Sequence, residues 1–284
     1  MNSVNLHVHT NASDGLFPPE EVVKKAKQHN LKAIAVTDHD TVQGLTSAEK
    51  AGKEFNLEVI RGVELSLEVG DKATCHLLGY FIPDDQGVLV DTLIKISKSR
   101  ELRNQAIIDK LKENGIELDY DQLKEKYSPG NSNMGRMHIA QALVDKEFVK
   151  TYQQAFDKYL KKGKCCYQER FRLTPENAVE LIHQSGGLAV LAHPGEGYPS
   201  EKKMKEIFSL LLKAGLDGIE VYYPRHTYIQ TLKYSKMAED HHLLKTGGTD
   251  FHGFKGRDQW NLTPPLGYEV VERMKKRRKK YDSS

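Results

Sequence analysis

Short apolar runs alternate with amphipathic stretches from the first residues onward. VNLHVH (4–9), AIAVTDH (33–39), LEVIRGVEL (57–65), CHLLGYF (75–81), LAVLAHP (188–194), GIEVYY (218–223) and LKTGGTD (244–250) read as strands. Between them, PEEVVKKAKQHN (19–30) has helical spacing, a proline in its first turn and early acids. A second helix is expected from Thr41 to Phe55. A third opens where Thr174 caps a segment with Pro175 at its first position. Repeated βα units predict parallel strands with helices outside them, as an open doubly wound sheet or a barrel. Residues 83–166 break the rhythm and read as helices only: Leu93–Asn114, a short one near Tyr120, GRMHIAQALVDK and TYQQAFDKYLKK. The expected organisation is therefore a discontinuous α/β domain (1–82 and 167–270), a helical insertion that caps it (83–166) and a basic tail (271–284).

The polar residues in these apolar strands fall at one kind of place. His7 and His9 close the first strand and, two residues apart, point to one face. Asp38, His39 and Asp40 close the second strand, Glu64 the third, His193 the fifth, and Asp250 and His252 the last. His76 is the exception, at the start of its strand. Parallel α/β folds gather ligands and catalytic groups at the carboxyl ends of strands. Burying this many imidazoles and carboxylates together without a cation is costly, because desolvation and like charges oppose it. Divalent ions resolve the conflict, and a His-plus-carboxylate set without thiolates suits Zn, Mn or Fe better than Ca or Mg. His29, His183, His241 and His242 are read as solvent-facing residues near helix ends, where the helix dipole suffices. His226 is a further candidate to line the site. Glu220, inside its strand, is read as a supporting or structural acid.

Composition narrows the class without choosing the chemistry. Of 284 residues, 38% are hydrophobic and 29% charged, which suits a globular protein and argues against wholesale disorder. No apolar run approaches the roughly 20 residues needed to span a bilayer. MNSVNLHVHT lacks the basic and apolar regions of a secretory signal. Cys75, Cys165 and Cys166 form no CxxC pair, so neither a disulfide framework nor a thiolate zinc site is expected. A cytoplasmic location follows as the simplest expectation. The net charge of +3 is concentrated in ERMKKRRKKYDSS (272–284), read as a frayed, solvated terminus or a contact for a polyanion.

LHVHTNASDG (6–15), TDHDT (37–41), GVELS (62–66), LAHPG (191–195) and GGTDFHG (247–253) resemble, in order, the motifs of the PHP (polymerase and histidinol phosphatase) superfamily. The spacing and the helical insertion with GRMHIA (135–140) most resemble the subfamily of ribonuclease AM and 3',5'-nucleoside bisphosphate phosphatase. That resemblance implies a distorted seven-stranded (β/α) barrel of TIM-like type and three divalent metal ions, Mn, Zn or Fe. It implies one ion held by His7, His9, Glu64 and Asp250, a second by Glu64, His76 and His193, and a third by Asp14, His39 and His252. Glu64, His193 and His252 are expected to carry catalysis. Met137 stands where the family commonly has proline, beside Arg136 and His138, which the resemblance makes phosphate contacts.

The implied activity is hydrolysis of nucleotide phosphate esters: a 3',5'-nucleoside bisphosphate 3'-phosphatase, a 5'–3' exoribonuclease on short RNA, or both. A metal-activated hydroxide would attack phosphorus. Arg100, Arg103 and Arg136 are planar donors suited to phosphate, with Arg103 and Arg136 taken as substrate contacts. On pattern alone, Arg100 and Arg103 also fit a solvated helix face. The expected partner is a phosphorylated small molecule, nucleotide or short RNA, with no membrane. The alternatives are a histidinol-phosphate-type phosphatase and a metal-binding module without activity.

Overall fold

The structure, a computed structural model, describes residues 3–70, 75–83, 87–127, 134–198, 200–254 and 266–279. Seven strands form one sheet in sequence order: β1 (Val4–Val8), β2 (Ala33–Val36), β3 (Glu58–Ser66), β4 (His76–Tyr80), β5 (Leu188–Leu191), β6 (Gly218–Tyr222) and β7 (Leu244–Gly247). The chain just beyond β7 returns to β1. Val8 bridges Phe251, and the His9 amide donates to the Phe251 carbonyl at 2.8 Å. The buried Asn5 side chain locks the same seam, donating to Thr249 Oγ1 at 2.7 Å and accepting from the Thr249 amide at 3.0 Å. The result is the nearly closed, distorted barrel that the sequence led us to expect.

One expectation needs correction. The strands are not uniformly parallel, because β4 runs antiparallel to both β3 and β5. The physical reason lies in the connections. β3 and β4 are joined by only nine residues (67–75), so the chain folds straight back, whereas parallel neighbours need a longer crossover. Reversal also explains the apparent exception of His76. The first residue of an antiparallel strand lies at the same end as the last residues of its parallel neighbours, and His76 pairs with Ser66 at the end of β3.

The helices between strands are α1 (Pro19–Gln28), α2 (Leu45–Phe55), α7 (Pro175–Gln184), α8 (Glu201–Lys213) and α9 (Tyr228–Asp240). α1 buries Val22, Val23 and Ala26, and its acids lie in the first turn, where the dipole favours them. The Thr174 hydroxyl caps α7 by accepting from the Asn177 amide. α2 starts at Leu45 rather than Thr41, since Asp40 has a positive φ and turns the chain first. The terminal helix α10 (Glu269–Arg278) is a second correction. Residues 271–278 are not a frayed tail: Val270, Val271 and Met274 join the barrel cluster with Val4, Ile60, Tyr80 and Leu188, at about 1.5–3 kcal/mol for each large apolar side chain buried. Residues 280–284 of the expected tail lie outside the described residues.

By its internal packing the chain forms two compact units, Met1–Asp91 with Arg172–Ser284, and Thr92–Phe171. The second begins and ends later than the expected 83–166. It contains most of α3 (Val88–Glu113), then α4 (Tyr120–Tyr127), α5 (Arg136–Asp145), α6 (Tyr152–Ala155) and a π-helical turn (Phe156–Leu160). Its own core gathers Ile107, Leu111, Leu123, Ile139, Leu143 and Leu160. Among the described residues no helix is long and apolar enough to cross a membrane.

Candidate metal centre

Every strand end of the first unit named above delivers a side chain to one rim. His7 and His9 are fully buried, as is Glu64. Glu64 stands at the middle of the group. Its Oε2 lies 3.1 Å from His7 Nε2, 3.1 Å from His9 Nε2 and 3.3 Å from His39 Nδ1. Its Oε1 lies 2.9 Å from His76 Nδ1 and 3.0 Å from His193 Nε2. Asp250 Oδ1 is 3.4 Å from His7 Nε2 and 3.1 Å from His9 Nε2. Asp14 reaches His9, His39 and His252 at 3.6, 3.8 and 3.3 Å.

Three overlapping groups emerge in which all candidate ligand atoms lie within 4.8 Å of one another: His7–His9–Glu64–Asp250, His9–Asp14–His39–His252 and His39–Glu64–His76. The first matches the grouping that the family resemblance implied. The other two regroup the remainder. His9 adds to the Asp14 set, and His39 takes the place expected for His193 beside Glu64 and His76, although His193 still touches Glu64.

The supporting structure explains why these side chains point inward. The Glu220 carboxylate, also fully buried, accepts from His7 Nδ1 at 3.1 Å and from the His193 amide at 2.8 Å. A proton on His7 Nδ1 leaves Nε2 as a lone pair aimed at the centre, the usual arrangement for a ligating imidazole. Asp38 is not one of the clustered ligands. It accepts from the Thr10 amide, the Thr10 hydroxyl and the Ser13 hydroxyl at 2.8, 2.7 and 2.6 Å, and so shapes the turn that carries Asp14. Asp40 is likewise structural, accepting from the Ser66 amide at 3.0 Å. Gly248 permits a close approach to β1: a Cβ there would fall 2.3 Å from the Cβ of His7. His193 and Asp250 both have positive φ, 25° and 54°, a strained conformation that recurs where geometry serves a site.

The electrostatics ask for a cation. Burial pushes His9 down, but Asp250, Glu64 and Asp14 outweigh it and lift its pKa to about 10. Burial likewise opposes protonation of His7, yet Glu220, Glu64 and Asp250 raise it well above the ordinary imidazole range. Burial brings His39 down to about 4, helped by the neighbouring imidazoles of His9 and His76. Glu64 and Asp250 are held far below the usual carboxylate range by these imidazoles, against the effect of burial. Glu64 Oε2, His9 Nδ1 and His76 Nδ1 are buried with no hydrogen-bond partner among the described residues. Lone pairs that lie 3 Å apart without hydrogen-bond geometry are arranged to face a common centre, not each other. The donor set therefore fits divalent metal ions.

Several residues have other roles. His226 ties β6 to the loop after β5, with Nδ1 3.0 Å from the Val221 carbonyl and Nε2 accepting from the Gly195 amide at 3.2 Å. His183 does not simply face solvent; it lies 2.8 Å from Asp217 Oδ2, which also accepts from the Ala189 amide. The expected substrate contacts Arg103, Arg136 and His138 all lie in the second unit. Arg136 Nη1 donates to the Leu160 carbonyl at 3.1 Å, and its guanidinium lies near the rings of Phe156 and Tyr167. His138 Nδ1 accepts from the Gly135 amide at 2.9 Å and so caps α5. Arg103 is buried at 5% exposure, which corrects the solvated-face reading, and its neighbour Asn104 donates to the Met134 carbonyl.

Comparison with known proteins agrees with this geometry. Residues 5–167 match the PHP domain family. The chain is 30% identical over 94% of its length to phosphoribosyl 1,2-cyclic phosphate 1,2-diphosphodiesterase of Eggerthella lenta, covering 98% of that protein. It is 32% identical to the 3',5'-nucleoside bisphosphate phosphatase of Chromobacterium violaceum, covering 91% of this chain and 90% of that one. The 5'-3' exoribonuclease Rnm of Salmonella typhimurium is also 32% identical, with 87% and 84% covered. A solved structure of a Chromobacterium violaceum amidohydrolase with bound sulfate and no metal superposes with a TM-score of 0.78 at 30% identity, covering 95% of this chain and 96% of that one. By motif order, barrel topology and sequence similarity over most of its length, the chain belongs to the PHP domain family.

Proposed function

We propose that this protein is a metal-dependent hydrolase of nucleotide phosphate esters, acting as a 3',5'-nucleoside bisphosphate 3'-phosphatase, as a 5'–3' exoribonuclease on short RNA, or as both. The observation that carries the reading is the set of three ligand groups joined through Glu64 and His9. Two relatives named for these activities cover most of this chain. Bound divalent cations supply Lewis acidity, placing positive charge against phosphoryl oxygens and lowering the pKa of coordinated water.

The chain's own residues do the rest. Glu64 contributes a negative charge shared by five surrounding imidazoles and thereby fixes the spacing of the centre. Glu220 holds His7 in one tautomer and His193 in place. His193 and His252, only partly buried, face the open side where a phosphoryl group enters. The proposed ligands are His7, His9, Asp14, His39, Glu64, His76, His193, Asp250 and His252, with three ions. Arg103, Arg136 and His138 are the proposed substrate contacts. No side chain need become phosphorylated, since water serves as nucleophile.

A second reading has a specific observation behind it: the cyclic phosphate diphosphodiesterase relative matches 98% of its own length. A panel separates the two. With Mn or Zn present, inorganic phosphate release is measured from a 3',5'-bisphosphonucleotide, a ribosyl 1,2-cyclic phosphate and histidinol phosphate, and release of nucleoside monophosphates from a 5'-phosphorylated short RNA. The proposal expects the first or second to have the highest kcat/KM. Preference for the cyclic phosphate or for histidinol phosphate would reassign the substrate. No turnover of any of them would leave a metal-binding module without activity.

A further inference from the structure

Beside the metal centre stands a guanidinium that the mechanism above does not use. Arg225 follows β6, and its side chain is 55% exposed. Its Nε donates to Tyr223 Oη at 2.7 Å and lies 3.0 Å from Glu196 Oε1. Its Nη2 donates to Asp250 Oδ2 at 3.1 Å and also contacts Tyr223 Oη. The guanidinium lies over the Tyr223 ring, 5.1 Å from its centroid. Tyr223 is itself buried, with its hydroxyl 3.2 Å from both Glu196 Oε2 and Asp250 Oδ2. Asp250 offers its other oxygen to His7 and His9, so Arg225 is one carboxylate away from the ligand atoms.

An ordinary surface arginine swings freely on one exposed partner. Arg225 is held by two carboxylates, a phenol and a ring face, so its rotamer freedom is already spent. A guanidinium has five N–H donors. Nε and Nη2 face these partners, while the N–H groups of Nη1 meet no acceptor among the described residues. Once Asp250 gives its charge to a cation, the positive charge of Arg225 is left facing an open site. A fixed, planar cation with free N–H groups beside a metal centre is suited to a nonbridging oxygen of a phosphoryl dianion.

We infer that Arg225 is a substrate-contacting residue whose Nη1 edge binds a nonbridging oxygen of the phosphoryl group presented to the metal centre. The inference rests on the phosphoesterase reading above. Its rival is a positioning role only, in which Arg225 merely steadies Asp250.

The test uses the full-length, metal-loaded protein and its R225Q and R225K variants. Inorganic phosphate binding is measured by calorimetry, bound metal by elemental analysis, and kcat/KM on the best ester of the panel. Removing one charge-assisted contact predicts a phosphate Kd weaker by about 10- to 100-fold in R225Q. R225K, which keeps the charge and loses the fork, falls between, and metal content stays equal in all three. An unchanged Kd in R225Q overturns the inference. So does a loss of metal that parallels the loss of phosphate binding, which would leave only the positioning role. A wild type that hydrolyses esters while R225Q matches it sinks the Arg225 assignment alone. A wild type that neither hydrolyses any ester nor binds phosphate sinks both readings.

Discussion

Glu64→Gln is the most revealing single change, because the amide keeps the shape of the side chain and removes its charge. Glu64 is completely buried, with five imidazole nitrogens between 2.9 and 3.3 Å from its oxygens. Loss of a supporting partner behind a ligand typically costs 10- to 100-fold in metal affinity. Glu64 belongs to two of the three ligand groups, so the upper figure is the minimum expectation. At a metal concentration about 1,000 times the wild-type Kd, binding to the folded state adds about 4.1 kcal/mol of stability. A 100-fold weaker site at the same concentration is only about tenfold above its Kd and retains about 1.4 kcal/mol. The difference, about 2.7 kcal/mol, corresponds to roughly 5–11 °C of melting temperature at about 2–4 °C per kcal/mol. Scanning calorimetry of both proteins, with Mn and with chelator, measures this directly. A Glu64→Gln protein whose melting temperature rises with Mn as much as the wild type, and which retains the same metal content, would refute the role given to Glu64.

Three further outcomes follow. Glu220→Gln should lower metal affinity about 10- to 100-fold while the barrel still folds, because His7 loses the acceptor that fixes its tautomer; unchanged affinity by calorimetric titration would contradict that. The metal-free protein should be most stable near pH 6.5. His9, with a folded pKa of about 10, adds stability below its ordinary value of 6.5 that is lost as pH rises toward 10. His39, at about 4, costs stability as pH falls from 6.5 toward 4, and the depressed carboxylates of Glu64 and Asp250 act in the same direction. Melting temperatures of chelated protein across this range check it, and a steady rise in stability from pH 7 to 9 would be inconsistent. Asn5→Leu should cost about 2–4 kcal/mol, since it breaks three buried hydrogen bonds, two of them to the Thr249 amide and hydroxyl and one from the His7 amide; a urea midpoint within error of wild type would show that the seam closes without Asn5.

Much of the site could be read from residue order. Imidazoles and carboxylates at the ends of apolar strands already imply one rim, and the described barrel brings them to it. What stayed hidden has physical causes. The position of His76 looked anomalous only because strand direction is not written in an apolar run; a connection between β3 and β4 too short for a crossover was the available signal. Asp38 and His39 are adjacent and in a strand point to opposite faces, so both could not be ligands. An acid such as Glu220 inside GIEVYY requires a partner if buried, and that requirement pointed toward an imidazole. The basic end drew attention to its charge, while Val270, Val271 and Met274 carried the helical spacing that seats α10 in the core. The roles of Arg103 and His138 depend on tertiary packing, which local pattern does not encode.

The most direct test of the central claim is anomalous diffraction at the Mn and Zn edges from crystals grown with those ions. The account predicts peaks about 2.0–2.2 Å from the facing atoms of His7, His9 and Asp250 and from a shared Glu64 oxygen. Further peaks are expected beside Asp14, His39 and His252, and beside His76 and His193. A metal-replete crystal with no anomalous density among these side chains would contradict it.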